Sequence, residues 1–302
     1  MGNVIKNYYG KVILFGEYSM IYGSSALLIP LYTGSSHWDF IWRNPGKRNY
    51  ASNRSLNVFY NYLKDNERFS EYIDVARFKT ELKKGLFLDS SIPSGYGVGS
   101  SGALTAAVYD RFRIGEIEDP MELKRFLADM ENCFHGNSSG LDPLQCFYGK
   151  PFILDEDKKI NILDENFLPE NVHIFLIDSN IKSDTKSLVN HFNEKRKDPR
   201  YLKAYEELYL PYVGRCINSL VAGEAGEFFD NLSKLSYYQT IMFEPMVTEK
   251  MMPLFFVKRS LAHFQIKLCG SGGGGYFLGF SDDKDATEHY MVQKGYPISW
   301  VI

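Results

Sequence analysis

The chain has 302 residues, enough for two domains with cores of their own. A hydrophobic share of 44%, a charged share of 24% and a net charge of −3 are those of a globular chain. They argue against disorder and against a polyanionic partner, so neither nucleic acid nor membrane is expected. Aromatics reach 15%, and the plainest use of 21 Tyr and 22 Phe is to fill the core.

The N-terminus carries no long apolar segment, and no run approaches a membrane span. Cys133, Cys146, Cys216 and Cys269 are scattered without a C-x-x-C pair, and the six histidines show no zinc spacing. A reduced, cytoplasmic setting is therefore expected.

In chain order, Gly10-Lys-Val-Ile-Leu-Phe-Gly-Glu17 predicts a short apolar strand flanked by Lys11 and Glu17. Residues 26–31 (Ala-Leu-Leu-Ile-Pro-Leu) predict a second strand that Pro30 confines to an edge or an end. Residues 37–42 (His-Trp-Asp-Phe-Ile-Trp) alternate and predict a third. The spacing in residues 56–63 predicts a helix packed on the surface.

Next comes Pro93-Ser-Gly-Tyr-Gly-Val-Gly-Ser-Ser-Gly-Ala103, followed by a helical pattern to Phe112. A glycine loop running into a helix start leaves backbone N–H groups unpaired and aimed at one point. The helix dipole adds positive potential there, so a phosphate is a natural occupant. The loop lacks the Gly-Lys-Ser/Thr ending of a Walker A motif. Its literal G-x-G-x-x-G, Gly97 to Gly102, sits too deep in the chain, and behind Pro93, to be a persuasive dinucleotide site. A glycine turn that merely caps the helix is the bland alternative.

Residues 120–131 predict a helix with Pro120 in its first turn, carrying Glu131 into His135-Gly-Asn-Ser-Ser-Gly-Leu-Asp142. One carboxylate as metal ligand and one as base, near a phosphate loop, suits phosphoryl transfer, although Asp142 also reads as an ordinary helix-start aspartate. Residues 172–178 predict a strand leading to a helix start at Ser183-Asp-Thr185, a place for substrate contacts. Residues 190–212 are highly charged and predict a solvated helical hairpin. Helical character continues over 225–242 and 245–262. Four consecutive glycines, Gly272 to Gly275, then stand between two apolar strands, more than a hairpin needs. They imply close backbone approach, either to the first glycine loop or to a ligand. The chain closes on a last apolar segment, 298–302.

The three glycine-bearing motifs, 10–17, 93–103 and 267–275, in this order resemble those of the GHMP small-molecule kinases, and the resemblance spans nearly the whole chain. It implies a mixed α/β fold of two domains, an N-terminal ribosomal protein S5 domain 2-like part (1–165) and a C-terminal ferredoxin-like α+β part (166–302), with the active site in the cleft between them. It implies ATP and Mg²⁺. The aspartate segment is similar to that of the mevalonate kinase branch. Carried over, Asp142 is the catalytic aspartate and Lys11 its lysine partner. Ser101 and Glu131 hold Mg²⁺, Ser90 touches the nucleotide, and Gly95, Tyr96, Gly97, Val98, Gly99, Ser100 and Ser101 wrap the phosphates. Glu17, Tyr18, Thr185, Gly270, Ser271 and Gly272 are expected at a small-molecule alcohol acceptor such as mevalonate.

Two departures stand out. Tyr18 replaces the histidine usual in that branch, and Pro143 follows the aspartate. Tyr18 and Gly99-Ser-Ser-Gly102 resemble phosphomevalonate kinases instead. A catalytically silent, metabolite-binding relative is the alternative of another class. A homodimer is the expected oligomer if the chain associates.

Overall fold

The computed structural model describes residues 6–41, 47–136 and 138–301. Of the stretches read above, residues 1–5, Trp42, Asn137 and Ile302 lie outside them. The chain divides into two compact units. The first holds the chain up to Lys11, Pro30–Ser94 and Val98–Lys150; the second holds Val12–Ile29, Gly95–Gly97 and the chain from Pro151 onward.

Strands β1 (Tyr8–Phe15) and β2 (Ala26–Phe40) contribute residues to both units. The sequence reading splits β2 into two strands; the structure shows one of 15 residues. Its register with a later strand ends at Leu28, and its register with another begins at Ser36. Pro30 falls between the two, where neither of those partners calls on its missing N–H, so the proline does not end the strand.

In the first unit, α1 (Lys47–Lys64), α2 (Glu67–Ser70) and α3 (Val75–Lys83) precede β3 (Leu86–Ser90). β3 pairs antiparallel with Ser36–Phe40 of β2. Three helices follow: α4 (Ser100–Phe112), α5 (Pro120–His135) and α6 (Leu141–Tyr148). The core is aromatic as expected: the rings of Phe78 and Phe112 stack with centroids 4.5 Å apart, and Phe59 and Phe69 are fully buried. Asp119 caps α5 by accepting from the N–H of Glu122, with Pro120 in the first turn, where its missing donor costs nothing.

Glycine sets how closely α4 and α6 meet. A Cβ on Gly102 would stand 2.8 Å from the backbone carbon of Asp142, so any larger residue would push α6 away. Gly140, which precedes α6, has φ +75°, and a Cβ there would come within 2.1 Å of the Lys124 carbonyl oxygen.

In the second unit, β4 (Phe152–Leu154) pairs with the first residues of β2 and with β5 (Ile160–Ile162). Then follow β6 (His173–Asp178), α7 (Thr185–Lys195), α8 (Pro199–Ala204), a π-helical turn over Tyr205–Tyr209, α9 (Leu210–Val221) and α10 (Ala225–Met242). The chain ends with the single turns α11 (Met252–Phe255) and α12 (Arg259–Ala262), then β7 (Phe264–Leu268), β8 (Tyr276–Ser281), α13 (Lys284–Lys294) and β9 (Ile298–Trp300). Its sheet has the order β7-β8-β6-β9, with antiparallel neighbours. α10 lies on β7: Gln239 Oε1 accepts the N–H of Leu268 at 2.8 Å, and Phe228 packs edge-on to Phe280.

Two expectations are corrected here. The stretch 190–212 is not a solvated hairpin, because Tyr205 and Tyr209 are each 1% exposed, stacked on one another and set against Phe243. Tyr201, Tyr205 and Tyr209 recur every four residues, an apolar stripe masked by the surrounding charges. Residues 245–262 are helical only at the single turns α11 and α12.

Gly140→Ala and Gly149→Ala test this packing. Both glycines have positive φ, but a Cβ at Gly149 meets open space. The backbone angle alone costs about 1–2 kcal/mol at either site. Gly140→Ala should lose clearly more, read from urea unfolding midpoints, because the Lys124 carbonyl must also move.

Candidate active site

Lys11 sits in β1 with 4% exposure, and its backbone N–H donates to the Val98 carbonyl at 2.9 Å. That bond ties the strand to the end of the second glycine motif. Its ammonium reaches Asp142 Oδ1 at 3.0 Å. Asp142 lies in the first turn of α6, where the positive end of the helix favours a carboxylate. Gly99 makes the approach feasible: its φ is +83°, and a Cβ there would stand 2.8 Å from Lys11 Cγ. Pro143 is accommodated because it too lies in the first turn, whose N–H groups have no partner within the helix.

Beside this pair, Glu131 is 3% exposed on α5. Its Oε1 accepts from Ser101 Oγ at 2.8 Å, and its Oε2 accepts from Ser138 Oγ at 2.5 Å. Burial, and then the charge of Asp142, push its carboxyl up to about 7; the two serine hydrogen bonds and Lys11 pull the other way. Ser101 is the second residue of α4, whose start follows Gly99 in the left-handed conformation. Lys11, Ser101, Glu131 and Asp142, named from sequence, thus share one region of the first unit. Ser138 is a member the sequence reading missed; a serine seven residues after Glu131 carries no spacing signal.

The oxygen donors suit a hard divalent ion. A glutamate carboxylate and a serine hydroxyl in contact, with a second carboxylate near, make the sparse set that Mg²⁺ accepts when phosphates and waters complete its shell. Among the described residues no cluster of three or more His, Cys, Asp or Glu forms a fuller cage.

Ser90, at the end of β3, accepts a hydrogen bond from Ser36 Oγ at 2.8 Å and one from the N–H of Ile92 at 3.2 Å. It shapes the entry to the glycine loop. Ser100 opens α4, preceded by Val98, which is buried.

In the second unit, Gly95 and Gly97 have positive φ, and the Tyr96 ring lies 5.0 Å from that of Tyr276. The four-glycine run approaches several backbones at once. A Cβ on Gly272 would meet the Met246 carbonyl at 2.8 Å, one on Gly274 the Ile181 carbonyl at 2.6 Å, and one on Gly275 the Tyr96 carbonyl at 3.3 Å. The expected approach to the first glycine loop is therefore met at Tyr96, and most of the run serves contacts with other loops.

Glu17 is 3% exposed and gives its carboxylate to the fully buried Lys267. Tyr18 is 4% exposed, and its hydroxyl donates to the Ser271 carbonyl at 2.6 Å. Thr185 Oγ1 lies 3.0 Å from Ser271 Oγ, and Ser183 Oγ donates to the Gly272 carbonyl at 2.6 Å. Gly270, like Gly272, has positive φ. Arg196 was not singled out from sequence. Its guanidinium lies over the Tyr22 ring at 3.1 Å, and its buried Nε has no hydrogen-bond partner.

Glu131 yields a pH prediction. Its carboxyl releases its proton near 4.5 in the unfolded chain and near 7 in the native one. Between those values the native state holds the extra proton, so the contribution to stability is complete below 4.5 and is lost as pH rises through 7. In metal-free protein, Glu131→Gln should remove this decline, raising Tm relative to wild type more at pH 8 than at pH 5 in thermal melts. A difference independent of pH would contradict the assignment.

Residues 60–150 match the GHMP kinases N terminal domain. The mevalonate kinase of Thermococcus gammatolerans is 25% identical over 300 residues, covering 91% of this chain and 88% of the relative. The structure of L. major mevalonate kinase in complex with R-mevalonate superposes with a TM-score of 0.69 at 16% identity, over 97% of this chain and 92% of that one. Lactococcus lactis galactokinase complexed with galactose gives 0.68 at 17% identity, over 99% and 92%. Residues 60–150 thus match the N-terminal domain of the GHMP kinases, and the chain as a whole shares their mixed α/β fold and resembles them in its three glycine motifs.

Proposed function

We propose that this kinase transfers the γ-phosphoryl group of ATP to the primary hydroxyl of mevalonate, giving 5-phosphomevalonate. The observation that carries the reading is the Lys11–Asp142 pair at 3.0 Å beside Glu131 and Ser101. Asp142 orients the acceptor hydroxyl and takes its proton as the alcohol oxygen attacks the γ-phosphorus; the bond to the β–γ bridging oxygen breaks and ADP leaves. The Lys11 ammonium stabilises the charge that builds on the transferring group. The N–H groups in the first turn of α4, with the Ser100 and Ser101 hydroxyls, receive phosphate oxygens. Glu131 and Ser101 would hold Mg²⁺, which when bound supplies charge neutralisation on the phosphates.

The acceptor is the finer part of the proposal. The 25% identity to the mevalonate kinase of Thermococcus gammatolerans over 91% of this chain supports mevalonate. Tyr18 favours a second reading, phosphomevalonate as acceptor, since that residue resembles the phosphomevalonate kinases. The family division near residue 165, a homodimer and a cytoplasmic setting complete the proposal. No helix among the described residues is long and apolar enough to cross a membrane.

ATP consumption with Mg²⁺, measured separately with mevalonate, phosphomevalonate, galactose and homoserine, tests the acceptor. Turnover with mevalonate alone is expected; turnover with phosphomevalonate alone moves the assignment to the second reading. ATP binding without turnover on any of the four favours a silent relative. With the active acceptor, Asp142→Asn should lower kcat by about a thousandfold while leaving nucleotide binding nearly intact. Lys11→Met should lower kcat without unfolding the chain. Retained turnover in Asp142→Asn would refute its role.

A further inference from the structure

Tyr18 has φ +62° and ψ −43°, a backbone conformation that a bulky side chain seldom adopts. The N–H of Ser19 donates to the Glu17 carbonyl at 2.6 Å, so Glu17, Tyr18 and Ser19 form a γ-turn of the rare, strained hand with Tyr18 at its centre. Strain of this kind persists only where the surroundings over-determine it. Two ties do so. Glu17 is locked to Lys267, and the Tyr18 hydroxyl donates to the Ser271 carbonyl at 2.6 Å. The Tyr18 ring is wedged against Phe192 and Phe243, with centroids 4.7 and 5.4 Å away.

A phenol has one proton, and this one is committed. With the ring 4% exposed and its donor spent on a backbone carbonyl, Tyr18 is poorly placed to recognise a ligand itself. Its bond instead fixes one carbonyl of the glycine loop, while Ser183 Oγ fixes the next, that of Gly272. Between these two anchors the Ser271 hydroxyl is presented 3.0 Å from the more exposed Thr185 hydroxyl.

We infer that Tyr18 is a positioning residue: its hydroxyl holds the 270–275 loop in the conformation that presents the Ser271 and Thr185 hydroxyls to the phosphoryl acceptor, without touching the acceptor itself. The inference rests on the kinase reading for its substrate but on loop geometry alone for its mechanical part. It gives Tyr18 a role in acceptor affinity through the loop, so the residue type matters for its reach and its proton.

Tyr18→Phe deletes the hydroxyl and keeps the ring, and Ser183→Ala deletes the second anchor. Amide hydrogen exchange reads the loop directly, because the N–H groups of Gly273 and Gly275 are bonded to the Met246 and Ile181 carbonyls at 2.6 and 2.7 Å. Each variant should exchange faster at these amides and not in β6 or α10. Loss of one hydrogen bond should raise KM for the acceptor about fivefold, leaving KM for ATP unchanged. Unchanged loop exchange with an unchanged acceptor KM overturns the inference. So does faster exchange throughout the second unit, which would make Tyr18 a general stabilising residue. If wild type turns over none of the four acceptors, the kinase reading fails while exchange at Gly273 and Gly275 still decides the positioning role.

Discussion

The site is organised by one close approach, that of Lys11 to Asp142. A lysine ammonium at 5% side-chain exposure needs a carboxylate partner, and it can have one only if β1, the end of the glycine loop and the start of α6 crowd together. Glycine makes the crowding feasible. Gly99 leaves room for the Lys11 stem and Gly102 for the backbone at Asp142, while the β1 N–H of Lys11 bonds to the Val98 carbonyl. Gly99, which wraps phosphate in the proposed reaction, is thus also a residue whose missing side chain brings the charged pair together. The proposed phosphate loop and the Lys11–Asp142 pair are one packing solution.

Glu131 shows the same economy. It is buried, raised by desolvation and by its neighbour Asp142, and satisfied by two hydroxyls, Ser101 from α4 and Ser138 from the turn before α6. Three elements therefore converge on one carboxylate. A carboxyl raised in this way exchanges its proton for a divalent cation at small cost, which suits the role as metal ligand proposed for it.

Much of this was legible in the sequence because glycine, proline and paired carboxylates leave local marks. The glycine loop before α4, the Pro120 start of α5 and the limits of α10 follow from spacing alone. What was not legible depended on distant partners. Nothing near Ser138 signals that it completes the Glu131 site, and nothing near Glu17 names a lysine 250 positions away. Pro30 reads as a strand end unless the gap between two registers is known. Tyr205 and Tyr209 hide in a charged stretch because a π-helical turn carries them inward, where local charge density says little about burial.

The Glu17–Lys267 pair carries a consequence for how this chain can change over time. Both side chains are almost wholly withdrawn from water, Glu17 two residues past the end of β1 and Lys267 within β7. Losing either partner alone strands a charge in the interior, at roughly 3–5 kcal/mol, whereas exchanging both for well-packed apolar side chains can be close to neutral. The two positions therefore form a single heritable unit, with a valley of unstable singles between two habitable states. A lineage that keeps one keeps the other, and one that abandons the pair must cross in a double step or be carried over by compensating stability elsewhere.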